Sequence, residues 1–292
     1  NRATQIKFGN ERHHITYLES RLKNEYDRCW DGTQSVDNCL GDTKLNKVLI
    51  STNKKINNTW NTKLSLAQIT DTRDDTKGGV FTLGDQYKRT DITLLNDIKI
   101  DKALLNIGLS QVDDKNTNNN QQITSKEAFI NWQKEINSID INTGARYIEH
   151  SKFNNETVYN LGIAKYLDKG VKLTSTYSTA FTAPSLAQIN AVATLEPETS
   201  KNIELGIEKT YDWGVVDVRT YTNKIENAFR SDDTTSWAWT NIGKLTTKGI
   251  EVSVSANINN YDLDFSHSYN ESRAHDETTQ AIRRPKNMPN LT

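Results

Sequence analysis

Four groups of side chains in this sequence have the types and spacing to do chemistry or to hold a ligand. Asp71, Asp74, Asp75 and Asp85 fall in one polar stretch with Gly78, Gly79 and Gly84. Hard carboxylate oxygens on a glycine-containing loop suit Ca2+, which takes about six to eight oxygen ligands. The spacing is not that of an EF-hand, and water solvates an acidic loop equally well. Trp237 and Trp239 follow Arg230-Ser-Asp-Asp233, with Phe229 and Tyr221 close by. Aromatic rings on an exposed loop can stack on a flat macrocycle, or they can anchor the loop at a lipid interface. Cys29 and Cys39 are the only two cysteines. A bond between them would close a small loop containing Asp31-Gly32 and Asp37-Asn38, stabilise it by roughly 2 to 3 kcal/mol and require an oxidising compartment. Two free thiols are the alternative; a metal site lacks the usual ligand spacing. The fourth group is histidine. His13 and His14 are adjacent and would face opposite sides of a strand, while His150, His267 and His275 are isolated. No nucleophile elbow, phosphate loop or dinucleotide fingerprint occurs, so no catalytic residue is assigned and no enzyme activity is expected.

Composition narrows the classes that can position these groups. The chain of 292 residues carries 36 Lys and Arg against 37 Asp and Glu, a formal net charge of −1. It has no broad positive field, and nucleic acid is not expected as a partner. Minimal net charge with 8% aromatic residues also argues against disorder. No run approaches the roughly 18 apolar residues of a membrane-crossing helix. Membrane-crossing strands stay open, because their lipid-facing and water-facing residues average to a soluble-looking composition.

The dominant period is two. Ile250, Val252, Val254, Ala256 and Ile258 alternate with Glu251, Ser253, Ser255 and Asn257. After Asn259-Asn260, which suits a tight hairpin, Tyr261, Leu263, Phe265, His267 and Tyr269 continue the pattern. Ile203, Leu205 and Ile207 repeat it, as do Val171 and Leu173, Ile139 and Ile141, and Ala103, Leu105, Ile107 and Leu109. A dozen or more strands of about ten residues are expected. Short turns at 57–58, 101–102, 137–138, 168–170, 212–214 and 259–260 take turns with long polar loops at 26–44, 71–85, 113–125, 150–157, 183–197, 227–239 and 271–282. That asymmetry is the habit of an all-β, antiparallel, up-and-down transmembrane barrel with short periplasmic turns and long extracellular loops. Tyr and Trp near strand ends, among them Trp60, Tyr147, Tyr166, Tyr177, Tyr211, Trp213 and Tyr269, suit an interfacial girdle.

One region reads as a signature. Phe181-Thr-Ala183-Pro184-Ser-Leu186-Ala-Gln188 is followed by Leu195-Glu-Pro197-Glu198-Thr-Ser200 and by Glu204-Leu-Gly206. Then come Asn241-Ile-Gly243, Lys248-Gly249-Ile-Glu251 and Arg283-Arg284-Pro285-Lys286. Four such matches in order resemble the TonB-dependent outer-membrane receptors, and within that family the cobalamin-receptor branch. The resemblance implies part of a 22-stranded barrel in a Gram-negative outer membrane. It implies active uptake of a scarce nutrient, with ferric siderophore or haem as the alternative cargo. It also implies contact with lipid and lipopolysaccharide, coupling to TonB through an N-terminal plug, and aspartates of the 71–85 loop binding calcium. Residues 1–292 would then be a partial receptor barrel domain without its plug or closing strands; the chain begins without Met or a signal segment. A passive porin or adhesin is the reading from another class.

Three local expectations follow. Pro184 and Pro197 end one strand and open another without offering backbone donors. Glu198 and Ser200 cap the start of that second strand. Lys248 beside Glu251 forms an ion pair facing the lumen.

Overall fold

The computed structural model describes residues 1–30, 33–82, 84–232, 238–275 and 282–283. They form two compact units.

The first unit comprises Asn1–Ile98, Asn106–Ala128 and Ile148–Asn154. Its strands are β1 (Arg2–Gly9), β2 (His13–Tyr26), β3 (Cys29–Trp30), β4 (Ser35–Val36), β5 (Cys39–Lys55), β6 (Trp60–Lys77), β7 (Val80–Thr82) and β8 (Gln86–Ile100). The long ones pair antiparallel in the order β1-β2-β5-β6-β8. Their register aligns one apolar row across every strand: Phe8 opposite Ile15, Ile15 opposite Ile50, Ile50 opposite Leu66 and Leu66 opposite Ile92. This row is turned outward. Ile50 is 44% exposed, whereas its neighbour Ser51, on the other face, is 4% exposed and packs its hydroxyl 3.4 Å from that of Ser65. An aqueous domain would bury the isoleucine and expose the serine.

Cys29 and Cys39 are joined, with Cα atoms 6.0 Å apart. The bond ties the small β3–β4 hairpin to the start of β5. Strands β9 (Ala103–Asn116), β10 (Gln122–Ile136) and β11 (Ile139–His150) contribute residues to both units. At the end of β11, Nδ1 of His150 accepts the backbone N–H groups of Lys152 and Phe153, at 3.2 and 3.3 Å. Burial holds this imidazole below its ordinary pKa, which favours the neutral, accepting form.

The second unit comprises Lys99–Leu105, Phe129–Tyr147 and Asn155–Thr292. It is built on β12 (Glu156–Leu167), β13 (Val171–Thr182), β14 (Glu198–Tyr211), β15 (Gly214–Glu226), β18 (Lys244–Ile258), β19 (Tyr261–His275) and the short β20 (Ile282–Arg283), paired antiparallel in that order. A separate hairpin, β16 (Phe229–Asp232) with β17 (Ala238–Asn241), lies between β15 and β18 in the chain. Again the apolar parity faces out: Ile203, Leu205 and Ile207 are 52%, 52% and 47% exposed, while Asn202, Glu204, Gly206 and Glu208 are more shielded. Tyr211 and Trp213 stack at 5.0 Å beside the 212–214 turn, as an interfacial pair would. Tyr166 departs from the girdle expectation. Its register partner is Lys172, on the polar face, and the Lys172 ammonium lies 5.6 Å from its ring centroid.

The tight turns fall where the sequence places them. Asp101, Asn137, Ser138 and Asn259 all take positive φ, near 50° to 61°, the conformation that the right-handed twist of a hairpin asks of its turn residues. Asn57 works through its side chain, whose oxygen accepts the N–H groups of Thr59 and Trp60 at 2.8 Å.

Two expectations are corrected. Strands are longer than about ten residues: β5 has 17 and β6 has 18. They run on into the stretches 26–44, 71–85 and 113–125, where both faces are polar and no hydrophobic alternation marks the ladder. The 183–197 stretch is also no plain loop, because Leu186–Ala191 forms a helix, α1.

Replacing Leu205, at the centre of the outward row of β14, by Arg is expected to cost about 2 to 4 kcal/mol of folding stability in a bilayer. Glu204→Gln on the opposite face should cost under about 1 kcal/mol. Equilibrium unfolding of the full-length protein in lipid vesicles reads both. Reduction of Cys29–Cys39 should speed amide exchange only around residues 29–39; loss of strand protection would refute a local staple.

Candidate functional site

The signature residues from Ala183 to Glu198, with Asn241 and Gly243, lie at the end of the second unit that carries the long connections, whereas Gly206, Gly249 and Glu251 lie within β14 and β18. Pro184 is fully buried, and Leu186, Ile189, Leu195 and Ala228 are each 5% exposed or less. Their burial contrasts with the exposed apolar rows of the strands. Helix α1 is held there by a capping box: the Ser185 hydroxyl accepts the Gln188 N–H at 3.3 Å, and the Gln188 side-chain oxygen accepts the Ser185 N–H at 2.8 Å. The Ser-x-x-Gln spacing is the helix-start signal that the sequence carries here.

Asn241 is the clasp. Its side-chain oxygen accepts the Glu196 N–H at 2.9 Å, and its amide donates to the carbonyls of Glu196 and Asn227 at 3.0 and 2.6 Å. One side chain thus ties the segment before β14 to the segment before β16. The Glu198 carboxylate accepts the N–H of Phe229 at 2.8 Å, so its role is to hold the β16–β17 hairpin rather than to cap its own strand. Gly243 takes φ +78° where Ala228 N–H bonds its carbonyl. Gly249 sits opposite Tyr221, and a Cβ there would lie 2.6 Å from that ring. Gly206 is similarly closed in, 2.5 Å from the Thr174 hydroxyl. Phe181 and Ser200 lie on β13 and β14, opposite Thr199 and Ala180, and Ala183 leads into buried Pro184. Pro197 ends the connection one residue before β14.

The aromatic group is partly assembled. Phe229 and Trp239 meet edge to face, with centroids 6.4 Å apart, on the β16–β17 hairpin that Glu198 and Asn241 hold. Both are half-buried. Trp237 lies outside the described residues, as do Arg284, Pro285 and Lys286. The acidic group is dispersed. Asp71, Asp74 and Asp75 lie on β6, not in a loop, and Asp74 has the opposite parity to the other two. Arg73 lies between Asp71 and Asp75 and donates to Asp71 at 3.0 Å. Asp85 accepts from the Asn116 amide at 3.4 Å. Among the described residues, no three His, Cys, Asp or Glu side chains are gathered as a metal site would need. One oxygen each of Asp71 and Asp74 is nevertheless buried without a hydrogen-bond partner among them.

The expected Lys248–Glu251 pair does not form, because residues three apart on a strand face opposite sides. Glu251 is on the polar face opposite Arg219, which bonds Asp217 at 2.7 Å and approaches Glu204 at 3.9 Å. A groove in the same unit is lined by Lys134, Glu135, Asp140 and Lys172 together with Ile141, Leu161 and Ile163. Mixed charge of this kind suits a hydrated surface.

Comparison with known proteins agrees with the outward parity. The family description "TonB dependent receptor-like, beta-barrel" matches residues 3–292. The chain belongs to this family. It is 22% identical over 124 residues to the vitamin B12 transporter BtuB of Vibrio vulnificus strain CMCP6, covering 42% of this chain and 20% of that protein. For strain YJ016 the figures are 26% over 135 residues, 44% and 22%. Among solved structures, the FrpB iron transporter of Neisseria meningitidis (F3-3 variant) superposes with TM-score 0.71 at 12% identity, over 99% of this chain and 57% of that one. The ferric-catecholate import receptor Fiu of E. coli K12 gives 0.69 at 12%, over 99% and 60%. The match therefore spans about a fifth of the B12 transporters and under two thirds of these solved receptors. Members are Gram-negative outer-membrane proteins, which places the long connections outside the cell.

Asn241→Ala removes three hydrogen bonds at once, and about 1 to 3 kcal/mol of local stability should go with them. The Glu196 amide should then exchange at least about tenfold faster and proteases should cut between Leu186 and Pro197, while the melting of the barrel strands stays unchanged.

Proposed function

We propose that the chain is barrel wall of a receptor that captures a scarce nutrient outside the outer membrane and passes it inward with energy supplied through TonB. Cobalamin is the cargo this reading favours. The carrying observation is the outward apolar parity, with serine, asparagine and glutamate on the shielded face; a sheet so built separates lipid from a hydrated interior. The aromatic β16–β17 hairpin supports ligand capture, because Glu198 and Asn241 hold the backbone at Phe229 and Asn227, and Phe229 meets Trp239 edge to face. The low-identity likeness to B12 transporters supports a corrinoid, whose flat ring Phe229, Trp239 and Trp237 would stack. Ferric siderophore or haem is the second reading, favoured by solved neighbours that carry iron names. The barrel itself performs no chemistry.

Calcium belongs to the proposal through Asp71, Asp74, Asp75 and Asp85. The unpartnered oxygens of Asp71 and Asp74 support it. Their opposite parity means that one ion can join them only if the outer end of β6 twists or unpairs.

Uptake of labelled cobalamin by cells carrying the full-length gene, with and without functional TonB, tests the reading. Saturable uptake that disappears without TonB is expected, with affinity for cobalamin above that for ferric siderophores and strengthened by calcium. Equal uptake in both strains would mean a passive porin. TonB-dependent uptake of iron complexes alone would move the cargo to the second reading.

A further inference from the structure

The groove edged by Asp140 and Lys172 has no part in ligand capture as described so far. It encloses about 800 Å³, the size of a ligand pocket, and all its lining residues belong to the second unit. Its floor is laid by β12 and β13 in register: Asn160 opposite Ser178, Gly162 opposite Thr176 and Ala164 opposite Thr174. These residues share the face of Gly206 and Arg219. Next along the ladder, Tyr166 stands opposite Lys172, beside the short 168–170 turn. From Tyr166 to Asn160 the groove runs about 20 Å along the strands. It starts at the short-turn, periplasmic end, whereas the β16–β17 hairpin belongs to the end that carries the long connections.

Three features suit it to a ligand. The floor is low: Gly162 has no side chain and Ala164 a single methyl group. A Cβ at Gly162 would meet nothing nearer than 3.6 Å, so the ladder has room for a larger residue there. The polar groups of the floor also keep bonding capacity. The Asn160 amide donates to Asn142 at 3.3 Å, but among the described residues the hydroxyls of Thr174, Thr176 and Ser178 have no hydrogen-bond partner. Finally, charge stays at the rim. The Tyr166 hydroxyl bonds Asp140, Lys172 faces Glu208 across the ladder, and Lys102 and Lys134 neighbour the short turns at 101–102 and 137–138. An anion on the floor would exchange water for hydroxyls and amides with no cation among them, which is costly, whereas a neutral molecule exchanges one set of hydrogen bonds for another. Leu104, Ile141, Leu161 and Ile163 add apolar surface along the groove. The lining therefore matches a molecule with an apolar body and uncharged amide or hydroxyl groups.

We propose that this groove is an exit-side subsite, which receives the nutrient after the outer loops release it and takes neutral cargo bearing amide or hydroxyl groups. Thr174, Thr176 and Ser178 would bond those groups, and the open floor at Gly162 and Ala164 would admit the cargo's body. The proposal rests on the receptor reading and deepens it, because it names the charge and chemistry of the cargo.

The test uses the full-length receptor in cells. Cells without functional TonB report surface binding of labelled cyanocobalamin, and cells with TonB report its rate of entry. Wild type is compared with Gly162→Leu, which fills the floor, with T174V/T176V/S178A, which removes the hydroxyls and keeps the shape, and with Ser253→Leu, a control on the same face of β18 outside the groove. Surface binding should stay within about twofold throughout, while entry per bound ligand falls at least about tenfold in Gly162→Leu and about three- to tenfold without the hydroxyls. The control should match wild type. In wild type, a cobalamin derivative whose side-chain amides are hydrolysed to carboxylates should enter at least about tenfold more slowly per bound ligand. If iron complexes prove to be the cargo, a neutral ferric hydroxamate and an anionic ferric catecholate replace this pair. Entry unchanged in both groove variants, or equal for neutral and anionic cargo, would overturn the proposal. So would a Gly162→Leu receptor that loses surface binding or admits a large antibiotic without TonB, which would make the groove a seat for the plug. Should Gly162→Leu fail to insert, the hydroxyl variant and the charge pair decide. TonB-dependent entry indifferent to every change sinks only this inference; entry that ignores TonB sinks the receptor reading itself.

Discussion

A single hydrogen-bonded sheet set between two solvents governs this protein. In hydrocarbon, every backbone N–H and C=O must be bonded within the protein, and the antiparallel ladder does this without help from side chains. Side chains are then free to serve the solvent they face, apolar on one parity and polar on the other. Among the described residues, few strand side chains are buried as a result. Ile50 stands exposed beside buried Ser51, and Leu205 beside shielded Glu204. A slip of one residue would exchange the two faces of a strand, so the register has to be held firmly. The turns hold it: Asn137 and Ser138 by their positive φ, and Asn57 by accepting two backbone N–H groups through its side chain.

Where the chain leaves this regime, it builds a core in miniature. Beyond the apolar band, Pro184, Leu186, Ile189, Leu195 and Ala228 are buried as they would be in a soluble domain. The residues that make the family recognisable are the fasteners of that buried group. Asn241 imitates a backbone strand partner, Glu198 holds Phe229, Ser185 and Gln188 cap α1, and Gly249 gives the Tyr221 ring its place. Their work is architectural.

Charge follows the same division. On the shielded face, Arg219 is balanced by Asp217 and Glu204, and it faces Glu251 across the ladder. On the outward face, both units set like charges in register, Arg2, Arg21 and Lys44 in the first and Lys201 and Lys224 in the second, and in the first Glu19 and Asp42 offset part of that charge. Coulomb repulsion is weak in bulk water and stronger at the rim of a low-dielectric layer, so like charges in register there have consequences that the same residues on a soluble surface would not.

The sequence by itself determined the strands, the turns and the face each side chain would take, because alternation of period two and the φ > 0 preference of Asn and Gly are local properties. It also carried the family through Phe181-x-Ala-Pro and Leu195-x-Pro-Glu. The lengths of β5 and β6 were not legible, since a strand with two polar faces leaves no hydrophobic period to read. Only the tertiary structure decided which side of the sheet faces in, which fasteners meet and which charges are opposed. It brought Asn241 to Glu196 and Glu198 to Phe229, and set Arg219 against Glu251. Those outcomes depend on cross-strand register and on contacts far apart in the chain, and no local pattern encodes either.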